Sequence, residues 1–108
     1  MRAICIKQPW ASMIANGQKL IETRSWKTNY RGELLVVASQ KPLIDNLPTG
    51  QALCIVNIID CHPMKKEDEK FAKVEYNSQK YSWILFNIKK IKPFPVKGKL
   101  NFFQVNLP

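Results

Sequence analysis

The residues best equipped for chemistry lie in one stretch, Gly17–Arg31, which reads GQKLIETRSWKTNYR. It holds two lysines, two arginines, one tryptophan, one tyrosine and a single carboxylate, Glu22, the only acid among the first 32 residues. Cationic donors beside aromatic faces suit a nucleotide or another flat anionic ligand. The same composition also suits an ordinary half-solvated surface. Lys19, Glu22 and Arg24 together carry a charge of +1, which in a cleft favours an anion or the electron-rich edge of a base. Glu22 and Arg24 stand two residues apart, so on a strand they share a face and the carboxylate can hold the guanidinium in place. Glu22 can otherwise accept from the exocyclic amine of a cytosine. A structural ion pair is the competing reading, because such networks are common outside active sites.

Lys19 acting as a general base would need to lose its proton near neutral pH, a drop of roughly 3 units from its reference value. Burial and Arg24 push in that direction, and Glu22 opposes it. Lys19 is therefore expected to keep its proton, and Lys19 and Glu22 are catalytic only if the protein is an enzyme. Trp26, Tyr30 and Trp83 are candidate stacking surfaces, since base–aromatic stacking is worth about 1–3 kcal/mol per base. Trp10 falls on an apolar helical stripe and is read as core. Ser39 can offer its hydroxyl to the same cleft. Arg31, Lys97 and Lys99, with Lys89, Lys90 and Lys92, are candidate phosphate contacts. His62 has no partner in the sequence and is read as a loop residue. No nucleophile arrangement and no phosphate-cradling loop is present.

The whole chain agrees with a polyanionic partner. Its net charge is +9 over 108 residues, and the charge is unevenly placed. Residues 1–32 balance to +5, residues 33–75 to −2 and residues 76–108 to +6. If the two ends pack side by side they make one basic face, of the kind that releases counterions from phosphates. Three scattered cysteines and one histidine lack zinc-ligand spacing, so no metal and no cofactor is expected. No apolar run approaches the roughly 20 residues of a membrane span, and no secretory leader is visible, so a cytoplasmic protein is expected. The length suits one domain, residues 1–108. The oligomeric state is not legible.

The elements that must position these residues follow from the hydrophobic pattern. Ala3–Lys7 reads as a first strand, buried on both faces. Gln8-Pro9-Trp10 starts a helix that ends at Asn16-Gly17, with Gly17 free to take the left-handed cap conformation. Lys19–Trp26 is extended, and Lys19 joins the Glu22 face only if the turn after Gly17 re-aims it. Gly32–Ser39 and Ala52–Asp60 are strong strands. The intervening 41–50 is a loop. Lys65–Val74 is a surface helix or a loop. Tyr81–Ile91 is a strand broken by Pro93-Phe94-Pro95. Gly98 marks a turn, and Leu100–Val105 is a last strand. Small sheets of this kind remove their edges by curling into a barrel. The expected fold is α+β, a small mixed β-barrel of five or six strands with one or two short helices. An open α+β sandwich is the alternative.

The segment Gly17-x-Lys19-x-x-Glu22-x-Arg24 resembles the GxKxxExR signature of the ASCH domain family. The surrounding IKQPWASMIANGQKLIETRSWKTNYRGELLVVAS is similar to the family's N-terminal half. YSWILFNIKKIKPFPVKGKLNFF is similar to its C-terminal half, so the resemblance covers nearly the whole chain. It implies a PUA-like β-barrel with a cleft lined by the signature residues, and RNA or another single-stranded nucleic acid as partner. Some small bacterial members resemble amidohydrolases acting on acetylated cytidine, and a few relatives are reported to cut RNA. Two departures bear on those activities. Many members carry a histidine where this chain has Val37. The amidohydrolase-like branch has a threonine at the position of Glu22. The first removes a candidate acid–base or base-reading group, and the second weakens transfer of the amidohydrolase activity; nucleic-acid binding is the favoured reading, with a nucleoside hydrolase or a ribonuclease as the alternative.

Overall fold

The computed structural model describes residues 1–108. Six strands form one sheet: β1 (Arg2–Ile6), β2 (Ile21–Arg24), β3 (Gly32–Ala38), β4 (Gln51–Pro63), β5 (Tyr81–Pro95) and β6 (Phe103–Gln104). Two short helices accompany them, α1 (Trp10–Ala15) and α2 (Glu69–Ala72), the second entered through a 3-10 turn at Lys66–Asp68. The strand order is β2-β5-β4-β3-β1-β6, and every pairing is antiparallel except β1 with β3. The fold is thus α+β and barrel-like, as expected. The sheet curls without closing, because its edges β2 and β6 do not pair with each other.

The curl comes from the long β4–β5 ribbon, whose register shifts at three places between Ala52 and Asp60. Such irregularities bend strands and increase their twist. The main core lies inside the curl, where Ile4, Ile6, Leu34, Val36, Val56, Ile58 and Trp83 meet Ile14 of α1. Leu35, Val37, Ala3 and Ala52 form a second cluster with Phe103, so β1 and β3 carry apolar residues on both faces, as the unbroken apolar runs foretold. Ile21 belongs to a third cluster with Met64 and Ala72, which seats α2 on β2. Val37 is fully buried in the second cluster.

Side chains bridge the gap that hydrogen bonds leave. Trp26, just past β2, packs edge-on against Phe102, just before β6, with ring centroids 5.2 Å apart. Trp83 lies 5.5 Å from the same phenyl ring. Arg24 Nη2 donates to the Cys5 carbonyl at 2.7 Å, which ties the end of β2 to β1.

Within Lys65–Val74, expected as a helix or a loop, a 3-10 turn at Lys66–Asp68 leads into one turn of helix at Glu69–Ala72. Two elements differ from expectation. The last strand is only Phe103–Gln104. The prolines at 93 and 95 do not end β5, which runs on to pair Phe94 with Ala52 and Pro95 with Gln51. The reason is geometric. β2 pairs only with Tyr81–Ile84, so beyond that point one flank of β5 has no partner strand. A proline is tolerated on such an edge because no ladder bond is asked of it. No helix is long and apolar enough to cross a membrane.

Candidate functional site

The turn after α1 sets the geometry. Gly17 takes φ +79°, a left-handed cap that suits glycine. The amides of Gln18 and Lys19 then both donate to the Met13 carbonyl, at 2.8 and 3.1 Å. This tight turn re-aims Lys19, which is why a residue of the wrong strand parity still meets Glu22. Lys19 Nζ lies 3.8 Å from Glu22 Oε1 and donates to the Ala72 carbonyl of α2. Arg24 Nε donates to Glu22 Oε2 at 3.0 Å. Each carboxylate oxygen therefore has its own cation. Glu22 pairs in register with Trp83, which places it on the inner face of the curl.

Lys19 is 1 % exposed and Glu22 is 7 % exposed. Burial pushes the Lys19 ammonium below the usual lysine range. The Glu22 carboxylate opposes that drop, and Arg24 adds to it.

A cavity of about 460 Å³ opens beside this triad, in the gap between β1 and β2 where the sheet does not close. Of the residues read from the sequence, Lys19, Glu22, Arg24, Trp26, Ser39 and Lys99 line it. Sequence reasoning missed Lys7 and Lys80, which line it as well. Lys7 follows β1 and Lys80 precedes β5, and the charge excess of the two chain ends was the only signal that could have found them. Trp10, read as core, packs on the core and also presents part of its surface to the cavity. Five cationic side chains (Lys7, Lys19, Arg24, Lys80 and Lys99) thus surround one carboxylate.

Seven candidates sit elsewhere. Trp83 is 0 % exposed, so it has no face to stack on a ligand. Its indole N–H donates to the Trp26 carbonyl at 3.4 Å and its ring backs Trp26 edge-on at 4.8 Å. The apolar alternation of β5 turns it inward. Tyr30 donates its hydroxyl to the Glu33 carbonyl at 2.6 Å and lies under the Arg2 guanidinium, 4.1 Å from the ring centre. Arg31 is occupied by the carbonyls of Thr28 and Tyr30 and by Asp60, 3.8 Å away. Neither Tyr30 nor Arg31 lines the cavity. Lys97 lines a second, neighbouring cavity. Lys89, Lys90 and Lys92 line neither, and Lys90 instead bonds Asn16 Oδ1 at 3.0 Å.

His62 is not a loop residue; it belongs to β4 and has partners. Its Nε2 lies 2.9 Å from Asp68 Oδ2, and Ser82 donates to the same oxygen at 2.8 Å. Serine and histidine both bond the aspartate rather than each other, and Ser82 is 0 % exposed, so this is no nucleophile relay. Burial alone would raise the Asp68 carboxyl; the Lys65 amide, His62 and Ser82 outweigh it and hold the group below its ordinary value. The cluster anchors α2. No group of three or more His, Cys, Asp or Glu side chains is placed to hold a metal ion.

With this geometry established, comparison with known proteins places it. The profile described as ASCH domain matches residues 4–95. Activating signal cointegrator 1 of Homo sapiens is 27% identical over 127 aligned positions, covering 95% of this chain. The protein of the same name from Mus musculus gives the same identity and coverage. The chain spans 22% of the length of these relatives. Among solved structures, the ASCH protein of Zymomonas mobilis superposes with a TM-score of 0.68 at 10% identity, covering 97% of this chain and 87% of that one. A single-residue variant of it reaches 0.74 at the same identity, with 97% and 89% covered. At that identity the likeness speaks for the fold alone.

Proposed function

The chain belongs to the ASCH domain family, a PUA-like family associated with RNA binding, and from that premise we propose that it binds RNA or another single-stranded nucleic acid in the cavity between β1 and β2. One observation carries the reading: five cations face one carboxylate around a cavity bordered by the half-buried indoles of Trp10 and Trp26. Lys7, Lys80 and Lys99 reach phosphate oxygens. Trp26 supplies a stacking surface for a base, backed and held by Trp83. Arg24 and Glu22 present donors and an acceptor to a base edge, since the Glu22 carboxylate accepts one hydrogen bond, from Arg24 at Oε2, and keeps free lone pairs. Lys19 acts mainly through its charge, because its surface is almost wholly covered.

The second reading is a hydrolase on a modified nucleoside such as acetylcytidine, or a ribonuclease. The observation behind it is the buried Lys19, whose ammonium is held below the usual range. The Glu22 carboxylate opposes it, because its negative charge 3.8 Å away favours the protonated lysine.

One titration separates the two. Single-stranded RNA is bound at two salt concentrations and the same sample is then resolved by electrophoresis. Affinity falling steeply with salt and RNA of unchanged length support the binder. Shortened RNA, or turnover of acetylcytidine that Lys19→Ala abolishes without unfolding the protein, establishes the enzyme instead.

A further inference from the structure

The second cavity, about 720 Å³, has no part in the reading above. It adjoins the first, because Cys5, Ser39, Lys99 and Leu100 line both. It adds Lys97 and Gln40 and contains no acidic side chain. The segment Lys97-Gly98-Lys99 therefore sets one cation inside the second cavity and another at the shared wall.

What holds this segment in place is a close approach to β1. A Cβ built on Gly98 would stand 2.3 Å from Cys5 Sγ, so a larger residue there forces the sulfur or the segment to move. The same Cβ would be 3.9 Å from Cys5 Cβ, so the sulfur alone is the obstacle. A nucleic-acid strand with one base at each cavity has its linking phosphate at the wall between them, where Lys99 stands.

We propose that the second cavity is the subsite for the adjacent nucleotide of the same strand. The recognition unit is then at least a dinucleotide, with Lys99 neutralising the linking phosphate and Lys97 the one beyond it. This rests on the nucleic-acid reading of the first cavity and extends it. It also assigns Gly98 and Cys5 a role as the lock that spaces the two lysines.

The test is calorimetric titration of the full chain with uridine monophosphate and with an oligouridylate, at low and moderate salt. Lys97 is exposed, so Lys97→Ala leaves the fold intact. It is expected to weaken oligouridylate binding by about threefold to tenfold, to reduce the salt slope by about 0.7 and to leave the monophosphate unaffected. Gly98→Ala weakens the oligouridylate, and adding Cys5→Ala to it restores the affinity. Equal affinity for the two probes, an equal loss for both in Lys97→Ala, or no rescue in the double variant overturns the second subsite while the nucleic-acid reading stands. No binding of either probe at low salt overturns that reading, and the subsite with it.

Discussion

Lys19 and Glu22 depend on each other. The folded state holds the Lys19 ammonium below the ordinary lysine range, chiefly by burial, while Glu22 limits the drop. Between the lowered value and the ordinary one, the unfolded chain binds one proton more than the folded chain. Stability contributed by this group therefore rises with pH across that window. Urea denaturation at a series of alkaline pH values is expected to show the rise in the native sequence and to lose it in Lys19→Met. Glu22→Gln removes the opposing charge, so the window should widen toward lower pH. It should also cost about 3 kcal/mol at neutral pH by leaving the buried Lys19 ammonium without its partner. A flat pH profile in the native sequence would show that Lys19 titrates normally. Spacing alone revealed the Glu22–Arg24 pair, because period two on a strand is unambiguous. The meeting of Lys19 with Glu22 was not legible, since it is made by the turn at Gly17–Lys19. Nor was the depth of Trp83, because an aromatic at an alternating position reads the same whether a ligand or a neighbouring indole covers it.

Among the elements, the aromatic bridge takes the place of a missing strand pairing. Phe102 touches Trp26, Trp83 and Tyr30, and the Arg2 guanidinium lies 5.2 Å from its ring centre. It thus joins residues beside β2, β5, β3 and β1. Phe102→Ala is expected to cost about 2–3 kcal/mol, less than a fully buried phenylalanine because the ring is half-exposed. Amide exchange should rise at Phe103 and Gln104 while the β4–β5 ribbon keeps its protection. A uniform rise across the sheet would mean that the bridge holds the whole fold and not its open side. The strong strands β3 and β4 and the helix α1 were plain in the sequence, where apolar runs and cap residues agree. The continuation of β5 past Pro93 was hidden, because proline reads as a breaker until the partner strand on one flank is known to be absent. The shortness of β6 was hidden for a related reason, since the apolar residues beside it serve the bridge instead of the ladder.

At the scale of the whole molecule, the fold gathers the charged ends selectively. Lys7 and Lys80 reach the first cavity, whereas Lys89 and Lys92 stay on the far half of β5. Charge reversal at Lys7 and Lys80 is expected to weaken single-strand binding by about tenfold or more, with a smaller salt slope. The same reversal at Lys89 and Lys92 changes net charge equally and should act far less. Equal effects in the two pairs, read by anisotropy at matched salt, would show that overall charge and not the cavity governs binding. The basic balance was legible from composition; which lysines converge was not, because convergence is a property of the strand order.

The lysines left out of the cavity have a different consequence. Beyond Leu85, whose amide still donates to the Leu20 carbonyl, the outer flank of β5 has no partner strand, the usual template on which a second chain adds one. Lys89, Lys90, Lys92, Pro93 and Pro95 all fall on this part of β5. Like charges repel a docking copy of the same strand, and each proline deletes a donor that a docking chain would need. The outer half of β5 is thereby protected against edge-to-edge pairing with a second copy of the same strand.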